Sequence, residues 1–216
     1  MPKLKPATQR ARREHILDAA EVCFARAGFH RTTMQDICKE ALISPGALYV
    51  YFNSKEDLIA GLAERDRSDF AERFADLSEA ADLMQSLSQL GNHYFVDEPA
   101  HKRTMCLEIG LESTRNAKVG EIYRSVDRYV HGSFEKLFAA LEAEGRIAPD
   151  VDIPTLTKLF SVIGDGMFMR RALDPNFDTA ALVPAVMALI GKLLNVQPEA
   201  APKEPTQEDR AAEKRR

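Results

Sequence analysis

The sequence predicts an all-α protein made of an N-terminal three-helix helix-turn-helix domain and a longer C-terminal helical domain. Three observations carry that expectation. Apolar residues recur at three- and four-residue steps through most of the 216 residues, and no segment sustains the alternation of a β-strand. Three hydroxyl residues, Thr33, Ser44 and Ser54, each stand directly before a short segment that reads as the first turn of a helix. The charge also divides: nine Lys/Arg against five Asp/Glu through Lys55 give +4, and a chain of net charge -4 leaves -8 for the remainder. An anionic partner is therefore expected at the N-terminal quarter alone.

The first helix is expected from about Thr8 to Arg26, with Ile16, Leu17, Ala20, Cys23, Phe24 and Ala27 along one side and Gly28 ending it. Thr33 and Ser54 are each followed three residues later by an acid, Asp36 and Asp57, in the pattern of a capping box. Pro45 after Ser44 suits a first helical position, where no amide hydrogen is needed. Beyond Lys55 the helices lengthen, near 54–76, 79–96, 98–114, 116–144, 153–173 and 178–195. From Val196 the chain combines proline and charge with almost no large apolar residue, the composition of a disordered tail. The domains are accordingly drawn at 1–55, 56–195 and 196–216.

Composition excludes several function classes. Cys23, Cys38 and Cys106 form neither a paired framework nor a metal-ligand spacing, which points to a reducing cytoplasm. No run of about 18 apolar residues occurs, and the basic start leads into no apolar signal core, so a soluble cytoplasmic protein without membrane contact is expected. The five histidines include no pair three or four apart, and neither a nucleophile with its base nor a glycine-rich phosphate loop stands out. No metal, cofactor or enzymatic role is expected.

Two short helices separated by Leu42-Ile43, the second opening on small residues, have the dimensions of a helix-turn-helix. The first would brace the second across the phosphate backbone so that its first turn enters a major groove. Gly46 and Ala47 supply clearance there, Ser44, Tyr49 and Tyr51 project hydroxyls, and Leu48 and Phe52 hold the helix on its core. Lys55 and the amides after Ser54 form a second anion site, and Thr33 another. Lys3, Lys5 and Arg10 read either as a minor-groove arm or as a solvated leader.

The stretch GFHRTTMQDICKEALISPGALYVYFNSKEDL resembles the N-terminal domain of the TetR/AcrR family of repressors, matching at Gly28, Thr32-Thr33, Ile37, Ala41, Ile43-Ser44, Gly46, Leu48-Tyr49, Tyr51-Phe52 and Ser54-Lys55-Glu56. The resemblance covers about 45 residues. It implies a homodimer whose two recognition helices bind a palindromic double-stranded operator and are released by a small molecule held in the C-terminal domain. By position it also implies Thr33, Ser44, Pro45, Gly46, Ala47, Tyr49, Tyr51 and Lys55 as DNA contacts. Leu42 departs from the pattern, standing where the family usually has glycine; a left-handed turn there would strain leucine by about 1 kcal/mol or more.

In the C-terminal helices Met84, Leu87, His93, Met105, Ile109, Tyr123, Val126, Asp127, Val130 and Phe134 are the expected pocket residues, with Glu108 and Asp165 as further polar candidates. The same stripes equally describe an ordinary core. The segment 153–173 is apolar on two faces, and the resemblance implies that Leu159, Val162, Gly166 and Met169 pair with Val186, Ile190 and Leu193 and with their copies in a four-helix dimer interface. The function expected is a sequence-specific repressor released by a small apolar or aromatic effector, with an efflux system as its target. Two other readings stand beside it: a small-molecule binding protein or enzyme whose N-terminal helices are structural, and a DNA-binding redox switch acting through Cys106.

Overall fold

A computed structural model describes residues 6–197. Its helices are α1 (Pro6–Arg31), α2 (Met34–Glu40), α3 (Pro45–Tyr49), α4 (Lys55–Glu79), α5 (Leu83–Asn92), α6 (Ala100–Glu112), α7 (Ala117–Ala143), α8 (Ile153–Leu173) and α9 (Thr179–Leu194), with a π-helical turn at His93–Asp97 between α5 and α6. Among the described residues there is no β-sheet, only an isolated antiparallel bridge between Ile147 and Val196. None of these helices is long and apolar enough to cross a membrane.

The helix starts lie where cap chemistry places them. Thr33 Oγ1 accepts from the Asp36 amide at 3.1 Å while the Asp36 carboxylate accepts from the Thr33 amide at 3.0 Å, a reciprocal capping box. Ser44 accepts from the Ala47 amide at 3.3 Å and Ser54 from the Asp57 amide at 3.1 Å. At Ser54 the box is displaced by one residue, the Asp57 carboxylate accepting from Asn53 N instead. Gly28 has a φ of 76°, which breaks α1 where expected, and one more helical turn continues to Arg31 beyond the kink.

Two hydrophobic cores result. The first joins Ile16, Leu17, Phe24, Ile37, Leu48 and Phe52 to Leu58 and Leu62 of α4, Met105 of α6 and Val119 of α7. The second joins Phe70 and Leu77 of α4 to Leu87, Phe134, Phe138, Leu156, Met187 and Ile190. Helix α4 thus belongs to both, its first two turns closing one core and its later turns the other. Helix α6 packs along α1, α7 along α4, and α5 along α9. Val196 and Gln197, at the start of the expected tail, are still tied to the body, Gln197 N donating to Arg146 O at 2.9 Å. Residues 198–216 of that tail, and Lys3 and Lys5 of the expected arm, lie outside the described residues.

Candidate DNA-binding surface and ligand cavity

Helix α2 ends in a Schellman turn: Ile43 N donates to Cys38 O at 3.0 Å and Leu42 N to Lys39 O at 3.2 Å. This geometry requires a left-handed residue, and Leu42 occupies it with φ 53° and its side chain 90% exposed. The same motif closes α7 with Gly145 at φ 71°, Arg146 N donating to Leu141 O. The strain expected at Leu42 is therefore present, and the turn has the usual construction with an unusual residue in it.

The turn presents α3 outward. Leu48 is fully buried and Phe52 nearly so, while Ser44, Pro45, Gly46 and Tyr49 are exposed and Ala47 is half-buried. A Cβ added to Gly46 would meet nothing within 4 Å, and Gly46 does not have a positive φ. The fold itself thus makes no demand for glycine at this position. Tyr51 is half-buried against the first core, so most of its ring is committed to packing. Thr33 is exposed, but its hydroxyl also donates to the Asp36 carboxylate at 2.6 Å.

Lys55 differs from the expectation of a free anion site. Its ammonium lies 4.2 Å from the centre of the Phe29 ring and donates to the carbonyls of Phe29 and His30 at the end of α1. Burial lowers its pKa from the ordinary lysine value, partly offset by Glu56 and Glu112. The cation is committed to the carbonyls of the last turn of α1, while the residue stays partly exposed.

Behind the first module a cavity of about 330 Å³ opens between α4, α5, the π-turn, α6, α7, α8 and α9. Of the residues expected to line it, Leu87, His93, Val126, Asp127, Val130 and Phe134 do, as does Asp165. Met105 and Ile109 do not, because the middle and C-terminal half of α6 and the N-terminal end of α7 pack on the first core rather than on the second. Tyr123 is half-exposed, with its ring over Gly110, and Met84 packs on α9 at Gly191. Glu108 points away to α1, its carboxylate filling the space beside Gly28. Sequence reasoning missed other parts of the wall, among them Phe70, Phe95, Phe160 and Phe168 and the polar group Asp66, Glu98 and Lys102. The heptad-like spacing Asp66, Asp69, Phe70 on one face of α4 was the available signal for part of it.

Lys102 Nζ lies 2.8 Å from Glu98 Oε1 and 3.2 Å from Asp66 Oδ1. Burial disfavours its charge, yet the two carboxylates outweigh that and hold its pKa above the ordinary value. Burial pushes the Asp66 carboxyl up in turn. The π-turn opens the backbone just where His93, Tyr94 and Phe95 reach the cavity. Burial pushes the Cys106 thiol on the same wall up to about 12, leaving little thiolate at neutral pH, which weighs against a redox switch there.

The comparisons with known proteins agree with this geometry. The family model for bacterial regulatory proteins of the tetR family matches residues 16–62, which span α1 to the first turns of α4. The chain is 27% identical over 186 residues to the HTH-type transcriptional regulator UidR of Escherichia coli K12, covering 84% of this chain and 92% of that one. The structure superposes on Salmonella enterica GusR with a TM-score of 0.73 at 29% identity, over 85% of this chain and 95% of that one. Residues 16–62 thus match the tetR-family regulatory module, and over most of its length the chain is similar to transcriptional regulators of that kind. At the level of fold it also resembles a solved SmeT–triclosan complex, with a TM-score of 0.71 at 22% identity over 89% of this chain and 100% of that one.

In this chain α8 turns Leu159, Val162, Gly166, Met169 and Leu173 outward at three- and four-residue steps, and α9 adds Leu182 and Leu189. Val186 and Ile190, expected on that face, instead line the cavity, and Leu193 packs partly buried on the second core. The reason is the register of α9: Val183, Val186, Met187, Ile190 and Leu194 form the face that meets α5, and Leu182 and Leu189 lie opposite. Between the two modules, α6 carries Lys102 and Cys106 toward the cavity and His101 and Glu112 toward α1, pairing with Glu21 at 3.0 Å and His30 at 2.7 Å.

Proposed function

We propose that the chain is a homodimeric repressor whose α3 helices read a palindromic operator and which leaves DNA when a small apolar or aromatic molecule fills the cavity. The observation that carries the reading is Gly46: an exposed glycine in a helix costs about 1 kcal/mol relative to alanine, and nothing inside the protein needs the space it leaves. A close external surface does, and a groove of DNA approaching the first turn of α3 is such a surface. Ser44, Pro45, Ala47 and Tyr49 complete that contact face, with Thr33 at the flanking helix start, while Tyr51 and Lys55 support it from the core side. On this reading residues 1–55 are the DNA-binding module and 56–195 the ligand-binding and dimer module, with α4 and α6 connecting them.

The exposed apolar stripes of α8 and α9 supply the dimer surface, and Gly166, with nothing within 4 Å of an added Cβ, admits a close neighbour there. The ligand class rests on the cavity walls, which are mainly aromatic and aliphatic; the fold neighbour SmeT holds the aromatic compound triclosan. Molecules of that kind are cargo for efflux pumps, which makes an efflux system the target favoured by this reading. Differential binding of the effector to the two arrangements of the recognition helices would weaken operator binding by a coupling of about 1–3 kcal/mol. Selection of duplexes from random DNA by the full chain tests it: a palindrome with half-sites about 34 Å apart is expected, and recovery of no enriched sequence would overturn it.

A further inference from the structure

The charged groups around the cavity are mostly acidic. Asp66, Asp69, Glu98, Asp127 and Asp165 reach it against one lysine, Lys102, and two histidines, His93 and His131, the first of which burial holds toward its neutral form. That lysine is already spent, lying 2.8 Å from Glu98 and 3.2 Å from Asp66. Even so Asp66 Oδ1 is buried and accepts no hydrogen bond, because the short contact from Lys102 is not aligned for one. On the opposite wall Asp127 of α7 and Asp165 of α8 have no Lys, Arg or His partner within ion-pair distance among the described residues. Burial and the neighbouring Asp127 charge together raise the Asp165 carboxyl. Between these acids the walls are aromatic faces, Phe70, Phe134 and Phe160 among them. Ring faces carry negative potential and attract cations.

We infer that the effector is an organic cation, an apolar or aromatic body bearing a protonated amine or quaternary ammonium that sits against Asp127 and Asp165. This rests on the reading of the cavity as the effector site and specifies its chemistry. A bound ammonium relieves the repulsion between the two carboxylates and meets the aromatic faces. A carboxylate ligand would bring a sixth negative group into the same walls and find its only permanent counter-charge occupied. A neutral alcohol donates one hydrogen bond and leaves both charges in place.

The test compares three probes with one skeleton, 4-phenylbutylamine, 4-phenylbutanol and 4-phenylbutyrate, titrated calorimetrically into the full chain at pH 7. The amine is expected to bind at least tenfold tighter than the alcohol, and the butyrate weaker than both. In Asp127→Asn/Asp165→Asn the amine's advantage falls below threefold with the alcohol's affinity unchanged. Both aspartates are exposed enough for the variant to fold, which a thermal melt checks, and the single Asp127→Asn serves if the pair does not. An alcohol or butyrate that binds as tightly as the amine, or an amine advantage that survives the substitutions, overturns the cation inference while leaving the cavity a ligand site. Absence of binding by all three, or equal binding to Val130→Trp, whose indole fills the cavity, overturns the effector-site reading itself.

Discussion

Replacing Leu42 by glycine removes a conformational penalty without removing a contact. The leucine side chain is 90% exposed, and its backbone is held at φ 53° by the two Schellman hydrogen bonds that end α2. A left-handed conformation costs an L-residue about 1–2 kcal/mol, and glycine gives back about 0.5–1 kcal/mol through its larger loss of freedom on folding. The net gain is about 0.5–1 kcal/mol, which for a chain of this size corresponds to a rise in Tm of roughly 1–4 °C. Leu42→Ala is the matched control, since it deletes the same exposed atoms and keeps the penalty. Thermal and denaturant melts of the three proteins, followed by circular dichroism at one protein concentration, read the difference directly. An alanine variant as stable as the glycine variant, or a glycine variant less stable than the parent, would refute the claim that this turn is strained.

Other outcomes follow from the same structure. Lys55→Ala is expected to lower stability by about 1–2 kcal/mol through the lost ring and carbonyl contacts, while the salt dependence of operator binding changes by less than one phosphate contact; a full unit of change would return Lys55 to the DNA. The raised Cys106 thiol stabilises the fold fully below the free-thiol range near pH 8.5, and that contribution is lost as pH rises toward about 12. Melts from pH 8 to 11 should therefore fall more steeply for the parent than for Cys106→Ser, and equal slopes would contradict the burial. Val162→Glu, on the outward stripe of α8, should convert the dimer to a folded monomer by light scattering; an unchanged mass would place the dimer face elsewhere.

The helix starts were legible because local chemistry sets them: Thr33, Ser44 and Ser54 satisfy amides within three residues of themselves, and no distant part of the chain is needed. Leu42 was legible for the same reason, as the residue one step past the end of α2. The cavity was legible only by half. Its α7 wall, Val126, Val130 and Phe134, follows from one apolar stripe, but the stripe does not say where along its length the neighbouring core changes. Met105 lies on an equally apolar face and is buried in the other core, a fact fixed by the crossing of α6 over α1. Ile190 was misplaced because α9 is apolar nearly all round, so periodicity could not choose its inward side. The acids Asp66 and Glu98 were missed because charged residues usually face water, and only tertiary packing shows that these meet Lys102.

The most direct test of the account is the affinity of Gly46→Leu for a selected operator, measured by fluorescence anisotropy beside a thermal melt. Open space around Gly46 and leucine's better helix propensity predict an unchanged or slightly higher Tm. Operator binding is predicted to weaken by at least tenfold, because the new side chain fills the clearance between α3 and the groove. A variant that keeps its Tm and binds the operator as tightly as the parent would contradict the central claim that the first turn of α3 is the DNA-reading surface.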